Sequence, residues 1–121
     1  MKGILNVHLI DPIDAEDMHN LMSHNFLVLT DSGGLQEEAP SCGVPVLVMR
    51  TETERPEAVE AGTVKVIGVD EVAIYDSIVE MITNTKIYSS MQCAINPYGD
   101  CHASKRTVAA ILAWGQTKSA I

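Results

Sequence analysis

The sequence predicts an α/β fold of the doubly wound type, in which helices cover both faces of a parallel sheet. Four short runs are nearly continuous in valine, leucine and isoleucine, as is typical of strands buried on both faces. Helical patterns separate these runs, and a glycine-rich turn follows the second of them. The length of 121 residues favours one domain with one core.

The predicted elements alternate along the chain and end in three consecutive helices. The predicted strands are Ile4 to Ile10, Phe26 to Thr30, Val46 to Met49 and Thr63 to Ile67. The predicted helices are Asp14 to Met22, Leu35 to Cys42, Pro56 to Ala61, Asp70 to Ile82, Ile87 to Cys93 and His102 to Trp114. Pro40 and Gly43 are expected to break the second helix, and Gly62 is expected to end the third.

Composition excludes several classes of function. The net charge of −8 argues against a nucleic-acid partner and against binding to an anionic membrane surface. No apolar run approaches the roughly 18 residues of a membrane span, and the basic-then-apolar order of a signal peptide is missing. We therefore expect a cytoplasmic protein with free thiols. The histidines His8, His19, His24 and His102 fit no metal motif and are assigned structural or surface roles, so no metal ligand is nominated.

The segment from Thr30 to Pro40 is the strongest local signal of function. A strand, a turn containing Ser32, Gly33 and Gly34, and a helix N-terminus together form an anion site. Glu38 follows one helical turn later and can accept hydrogen bonds from a sugar diol, so the pattern indicates a nucleotide site. The alternatives are a tight turn without a ligand and a solvated Glu38, as is expected for Glu37.

Five motifs in this order closely resemble the C-terminal part of the non-hydrolysing UDP-N-acetylglucosamine 2-epimerases. The motifs are Leu29 to Pro40, Pro45 to Arg50, Thr53 to Ala58, Ala61 to Val64 and Asn96 to Asp100. The resemblance covers the chain from about Val7 to Leu112. It implies a Rossmann-like three-layer parallel sheet, the partial C-terminal half of a GT-B-type fold. Residues 1–121 would then be a single truncated nucleotide-binding domain.

The resemblance also implies a reaction, a ligand and the residues that hold it. The family interconverts UDP-GlcNAc and UDP-ManNAc by eliminating UDP and adding it back, without a cofactor. Ser32, Gly33 and Gly34 would donate to the diphosphate, Glu38 would hold the ribose, and Arg55 would contact the nucleotide near its phosphates. From the residues alone, Arg55 could instead form a surface ion pair with Glu52, Glu54 or Glu57.

No catalytic residue is nominated, because the family's acids and bases lie upstream of the matching segment. We therefore expect the isolated chain to bind UDP or UDP-GlcNAc weakly and not to epimerise it. A stand-alone UDP-sugar-binding or regulatory module, a module that complements a partner chain, and a remnant without a ligand are the alternatives. The chain also departs from the family at Met18, Cys42 and Cys101, where Phe, Leu and Gly are usual.

The strand pattern also carries an expectation about assembly. The family sheet has the order 3-2-1-4-5-6, and the four predicted strands correspond to its third to sixth. Open apolar strand edges would remain, and such edges favour pairing with another chain. We expect a homo-oligomer, formed through Ile4 to Ile10 or Phe26 to Thr30, or association with a separate N-terminal half. Direct pairing of these two runs in one chain is the alternative.

Overall fold

The computed structural model describes residues 3–100 and 102–119, so Cys101 lies outside the described residues. Within that part of the chain, strands and helices alternate up to α4, and two further helices follow. The elements are α1 (Ala15–Ser23), β1 (Val28–Thr30), α2 (Gly33–Ser41), β2 (Val46–Val48), α3 (Pro56–Ala61), β3 (Val64–Val66), α4 (Glu71–Thr83), α5 (Thr85–Gln92) and α6 (Ala103–Ser119).

The strands form a parallel sheet in the order β1-β2-β3. Val46, Leu47 and Val48 of the central strand are each 0% exposed, because helices cover both faces. On one face, Val46 and Val48 pack in a cluster with residues of α1, α2 and α3. On the other face, Leu47 packs with Met81 of α4 and with residues of α5. The predicted α/β class with a parallel sheet between helical layers is therefore confirmed.

The predicted strand from Ile4 to Ile10 is wrong. Residues 3–14 contain neither helix nor strand, and Ile4 to Ile10 are exposed. An apolar run becomes a strand only where a sheet edge accepts its backbone hydrogen bonds. Here β1 pairs with β2 alone, so direct pairing of this run with β1 does not occur either. One edge of β1 and one edge of β3 remain unpaired within the described residues.

The helix that follows β1 begins earlier than the sequence predicted, ends one residue earlier, and is not broken at Pro40. α2 starts at Gly33, with Ser32 as its N-cap, and runs through Pro40 to Ser41. Proline in the last turn removes only its own N–H, so it does not break the helix there. α3 has the predicted bounds, because Pro56 takes the first position and Gly62 ends the helix at φ +81°.

The C-terminal helix α6 is longer than predicted and stands apart from the core. It extends to Ser119 and buries no described side chain. Its apolar residues Val108, Ile111, Leu112 and Trp114 are all exposed. Among the described residues, no helix combines the length and the apolarity that crossing a membrane would require.

Candidate functional site

The candidate site lies at the carboxyl edge of the sheet, where β1 and β2 end side by side. Thr30 is in register with Val48, and the Met49 N–H donates to the Thr30 carbonyl at 2.9 Å. The loops that lead into α2 and α3 therefore start next to each other. In open α/β sheets this edge is where ligands bind.

The N-terminus of α2 carries unused donors. Ser32 is the N-cap with extended backbone, and its side chain makes no capping hydrogen bond. Its own N–H donates to Thr30 Oγ1 at 3.0 Å. The next N–H groups have no partner within the helix, and the helix dipole places positive charge at this end. The turn can therefore bind an anion, and the Ser32 hydroxyl is available to help.

Neither Gly33 nor Gly34 is required by the protein's own geometry. Both lie outside the left-handed region of φ, which only glycine occupies readily. A β-carbon on Gly33 would meet no atom within 4 Å. A β-carbon on Gly34 would lie 3.9 Å from both Glu38 Oε1 and Ser32 Oγ. The structure therefore groups Ser32, Gly34 and Glu38 around an open turn, as the sequence predicted.

His19 of α1 lies beside Glu38. His19 Nε2 is 3.7 Å from Glu38 Oε2, and both side chains are about half exposed. His19 Nδ1 is 3.8 Å from Cys42 Sγ, one turn further along α2. Sequence reasoning assigned His19 a structural or surface role and missed this contact. The available signal was its position next to Met18, one of the residues at which the chain departs from the family that it resembles.

Arg55 reaches the same edge from the loop before α3, but its partner differs from the predicted ones. Its Nε forms an ion pair with Glu37 Oε1 of α2. The expectation that Glu37 is a solvated helix carboxylate is therefore wrong. Pairing of Arg55 with Glu52, Glu54 or Glu57, the alternative to a phosphate role, does not occur either: Glu54 pairs with Arg50 instead.

A second connection joins the loop before α3 to α2. The Arg55 N–H donates to Thr53 Oγ1 at 3.0 Å, and the Thr53 hydroxyl donates to Gln36 Oε1 at 2.8 Å. Gln36 is 0% exposed. Sequence reasoning did not single out Gln36 or Thr53. The only available signal was an amide side chain on the buried face of a predicted helix.

The turn from Asn96 to Asp100 borders this group of residues. Asn96 Nδ2 donates to Ser41 Oγ at 3.1 Å, and Asn96 Oδ1 accepts from the Tyr98 N–H at 3.0 Å. Burial raises the pKa of Tyr98 above its usual 10.0, and the carboxylates of Glu57 and Glu37 raise it further, against the opposing charge of Arg55. Tyr98 therefore lies close to the Arg55–Glu37 pair.

Comparison with known proteins identifies relatives across nearly the whole chain. The sequence profile described as "UDP-N-acetylglucosamine 2-epimerase" matches residues 1–112. The chain is 53% identical to UDP-N-acetylglucosamine 2-epimerase from Bacillus subtilis over 106 residues, which are 88% of this chain and 28% of that protein.

Two solved structures show the same fold at similar identity. UDP-GlcNAc 2-epimerase from Neisseria meningitidis, bound to UDP-GlcNAc, matches with a TM-score of 0.85 at 48% identity over 91% of this chain and 30% of that chain. S. aureus MnaA, in a structure with UDP, matches with a TM-score of 0.82 at 50% identity over 89% of this chain and 30% of that chain.

The chain thus spans about three tenths of the length of the relatives it matches. The profile match covers far more than half of the chain, and the sequence identity is near one half. The chain therefore belongs to the UDP-N-acetylglucosamine 2-epimerase family.

Proposed function

We propose that residues 1–121 form the UDP-binding C-terminal segment of a UDP-GlcNAc 2-epimerase with a GT-B-type arrangement of domains. The open turn at Gly33 and Gly34 carries this proposal. Neither glycine is needed for backbone conformation or packing, so the space above the turn is explained best by a ligand that approaches the backbone. The relatives that were solved with UDP and with UDP-GlcNAc support the choice of ligand.

Each group at the site has a separate role in this proposal. The N–H groups of Gly33 and Gly34, together with the Ser32 hydroxyl, donate to the diphosphate. Glu38 accepts hydrogen bonds from the ribose hydroxyls, and Arg55 supplies positive charge near the phosphates. In the complete enzyme UDP is the leaving group, so these donors would stabilise the negative charge that grows as the C–O bond breaks.

Two substitutions test the division of roles. Glu38→Gln should weaken the binding of UDP and of uridine alike by about 1–3 kcal/mol, the scale of a hydrogen bond to a charged group. Arg55→Ala should weaken the binding of UDP much more than the binding of uridine, because uridine has no phosphate. Calorimetric titration of both ligands measures this, with Glu60→Gln on the exposed side of α3 as the control. Equal losses of both ligands in Arg55→Ala would contradict its assigned role.

The isolated chain should not convert UDP-GlcNAc to UDP-ManNAc. None of its residues is assigned an acid or base role, and general acid–base groups each contribute about 10² to 10⁴-fold to a rate. UDP should bind only in roughly the millimolar to high-micromolar range, about −4 to −6 kcal/mol. NMR detection of UDP-ManNAc formed by the purified chain would overturn this proposal.

A module that completes a partner chain is the second candidate. The exposed apolar residues of Ile4 to Ile10 and of α6 favour it, because such surfaces mark interaction sites. Mixing the chain with the separately produced N-terminal part of a related epimerase tests the candidate. Formation of UDP-ManNAc by the mixture, but by neither part alone, would support a complementing module, and an inactive mixture that forms no complex would exclude it.

A further inference from the structure

Helix α2 holds Arg55 at two points in addition to forming the anion-binding turn. Glu37 pairs with the side chain of Arg55, and the adjacent Gln36 holds its backbone through Thr53. Gln36 and Glu37 lie in the same helix as Gly33 and Gly34. One rigid element therefore sets the distance between the candidate diphosphate donors and the cation that would face them.

The side-chain contact fixes which part of Arg55 a ligand can reach. Nε is buried, makes no hydrogen bond within the described residues, and has Glu37 Oε1 as its charge partner. The Arg55 side chain as a whole is 37% exposed, so its exposed surface lies away from Nε. A guanidinium is planar and presents its donors as a rigid fork. With the Nε edge taken by Glu37, the terminal nitrogens are the part left to meet a phosphate.

The backbone contact restrains the loop that carries Arg55. Thr53 Oγ1 accepts from the Arg55 N–H and donates to Gln36, so it links the loop to the buried face of α2. Gln36 is 0% exposed, so the close packing around it restrains the side chain to which the loop is bonded. Without the Thr53 hydroxyl, the backbone N–H of Arg55 would lose this hydrogen bond and the loop would lose its link to Gln36.

Glu37 has two possible effects on a phosphate ligand, and they have opposite signs. As a competitor it would neutralise Arg55, and its removal would strengthen phosphate binding. As an orienting group it would hold the guanidinium in place, and its removal would weaken phosphate binding. The contact at the buried Nε favours orientation, because the exposed part of the Arg55 side chain lies away from Nε.

We propose that Glu37 and Thr53 are positioning residues that present the terminal nitrogens of Arg55 to the phosphates of a nucleoside diphosphate. The proposal rests on the proposed function of the site. It predicts that changes at Glu37 and Thr53 affect the recognition of phosphate and leave recognition of the nucleoside intact.

The first test compares Glu37→Gln with Glu57→Gln, which removes the same charge close to Tyr98 without touching the Arg55 ion pair. Glu37→Gln should weaken the binding of UDP by up to about fivefold, the scale of a partly exposed ion pair, and change the binding of uridine less than about twofold. Glu57→Gln should leave UDP binding unchanged or slightly stronger. A gain in UDP affinity in Glu37→Gln would overturn the proposal and make Glu37 a competitor.

The second test uses a matched pair at Thr53. Thr53→Val keeps the shape of the side chain but removes the hydroxyl, and it should lower the affinity for UDP about fivefold. Thr53→Ser keeps the hydroxyl, and its affinity for UDP should stay within about twofold of the wild-type value. In an Arg55→Ala background, Thr53→Val should have no further effect. Equal losses in the two backgrounds would show that Thr53 acts independently of Arg55 and would overturn its positioning role.

A measurement without ligand separates this proposal from the proposed function. The Arg55 Nε–H should give a slowly exchanging NMR signal in the unliganded chain, and Glu37→Gln should abolish the slow exchange. A protected signal in a chain that binds no UDP would contradict the proposed function alone. UDP binding that is unaffected by loss of that signal would contradict the positioning role alone.

Discussion

The core of the segment from α1 to α5 and the two ends of the described chain place apolar residues in opposite environments. In the segment, Val46, Leu47 and Val48 are completely buried between two helical layers. At the ends, Leu5 is 87% exposed and Ile111 of α6 is 62% exposed. The sheet of the segment thus buries the kinds of residue that the ends leave exposed, and the segment's own exposed apolar residues, such as Val72 and Ile82, lie on the outer side of α4.

The candidate site belongs to the segment from α1 to α5, whose sheet is buried between helices. α2 and α3 follow buried strands, and the contacts that hold Glu37, Arg55 and Gln36 all lie between these elements. The ends contribute the Asn96 to Asp100 turn at the border but no side chain to the open glycine turn. Ligand binding should therefore survive changes in the ends, and association with other chains should depend on them.

Self-association through the apolar N-terminal segment is the largest expected effect. At micromolar concentration the chain should form a dimer or larger species, which corresponds to about −8 kcal/mol for micromolar affinity. Light scattering measures the mass of the species formed by the wild type and by the double variant Leu5→Lys, Leu9→Lys. Val69→Lys, at another exposed valine, is the control. A wild-type mass of only 13.1 kDa, that of a monomer, would contradict self-association through the apolar N-terminal segment.

Truncation of the central strand should have the next largest effect. Leu47→Ala creates a cavity between the sheet and α4 and should lower the free energy of unfolding by about 2–5 kcal/mol. Ile111→Ala in α6 should change it by less than about 0.5 kcal/mol, because that side chain is 62% exposed and belongs to neither of the two core clusters of the described residues. Urea denaturation compares the two. Similar losses would show that α6 is part of the same cooperative core.

Gly33→Ala should separate stability from binding at the site itself. The new β-carbon meets open space in the unliganded protein, and alanine is the better helix former, so stability should rise by up to about 1 kcal/mol. The same carbon should obstruct a phosphate, so UDP affinity should fall. Thermal unfolding and UDP titration measure both effects. A stability gain without loss of UDP binding would place the phosphate elsewhere.

The smallest expected effect concerns the start of α6. Both terminal nitrogens of Arg106 bond to the Asp100 carboxylate at 3.0 Å. Together with the His102 N–H, they lower the pKa of Asp100 below its usual 3.8. This contact therefore contributes stability above the usual pKa, and the contribution is lost as the pH falls through the lowered value. NMR titration should show that the pKa rises in Arg106→Ala, and an unchanged pKa would contradict the pairing.

Sequence reasoning succeeded where local chemistry decides structure. Pro56 and Gly62 gave the bounds of α3, and the apolar runs gave the three strands of the sheet. It failed at Ile4 to Ile10, because an apolar run does not reveal whether a neighbouring strand is present. It also missed the Arg55–Glu37 pair, because the two residues lie on different elements and only the folded sheet brings those elements together.

The most direct test of the account is where UDP binds on the complete chain. Amide NMR shifts recorded during a UDP titration should concentrate at Ser32, Gly33, Gly34 and Arg55, with the signals of residues 3–14 and of α6 unchanged. The chain also has an apolar groove of about 570 Å³ beside β3, lined by Val64, Ile87 and Met91 among others, which shares no residue with the candidate site. Shifts that concentrate around this groove, or none up to roughly 10 mM UDP, would contradict the central claim.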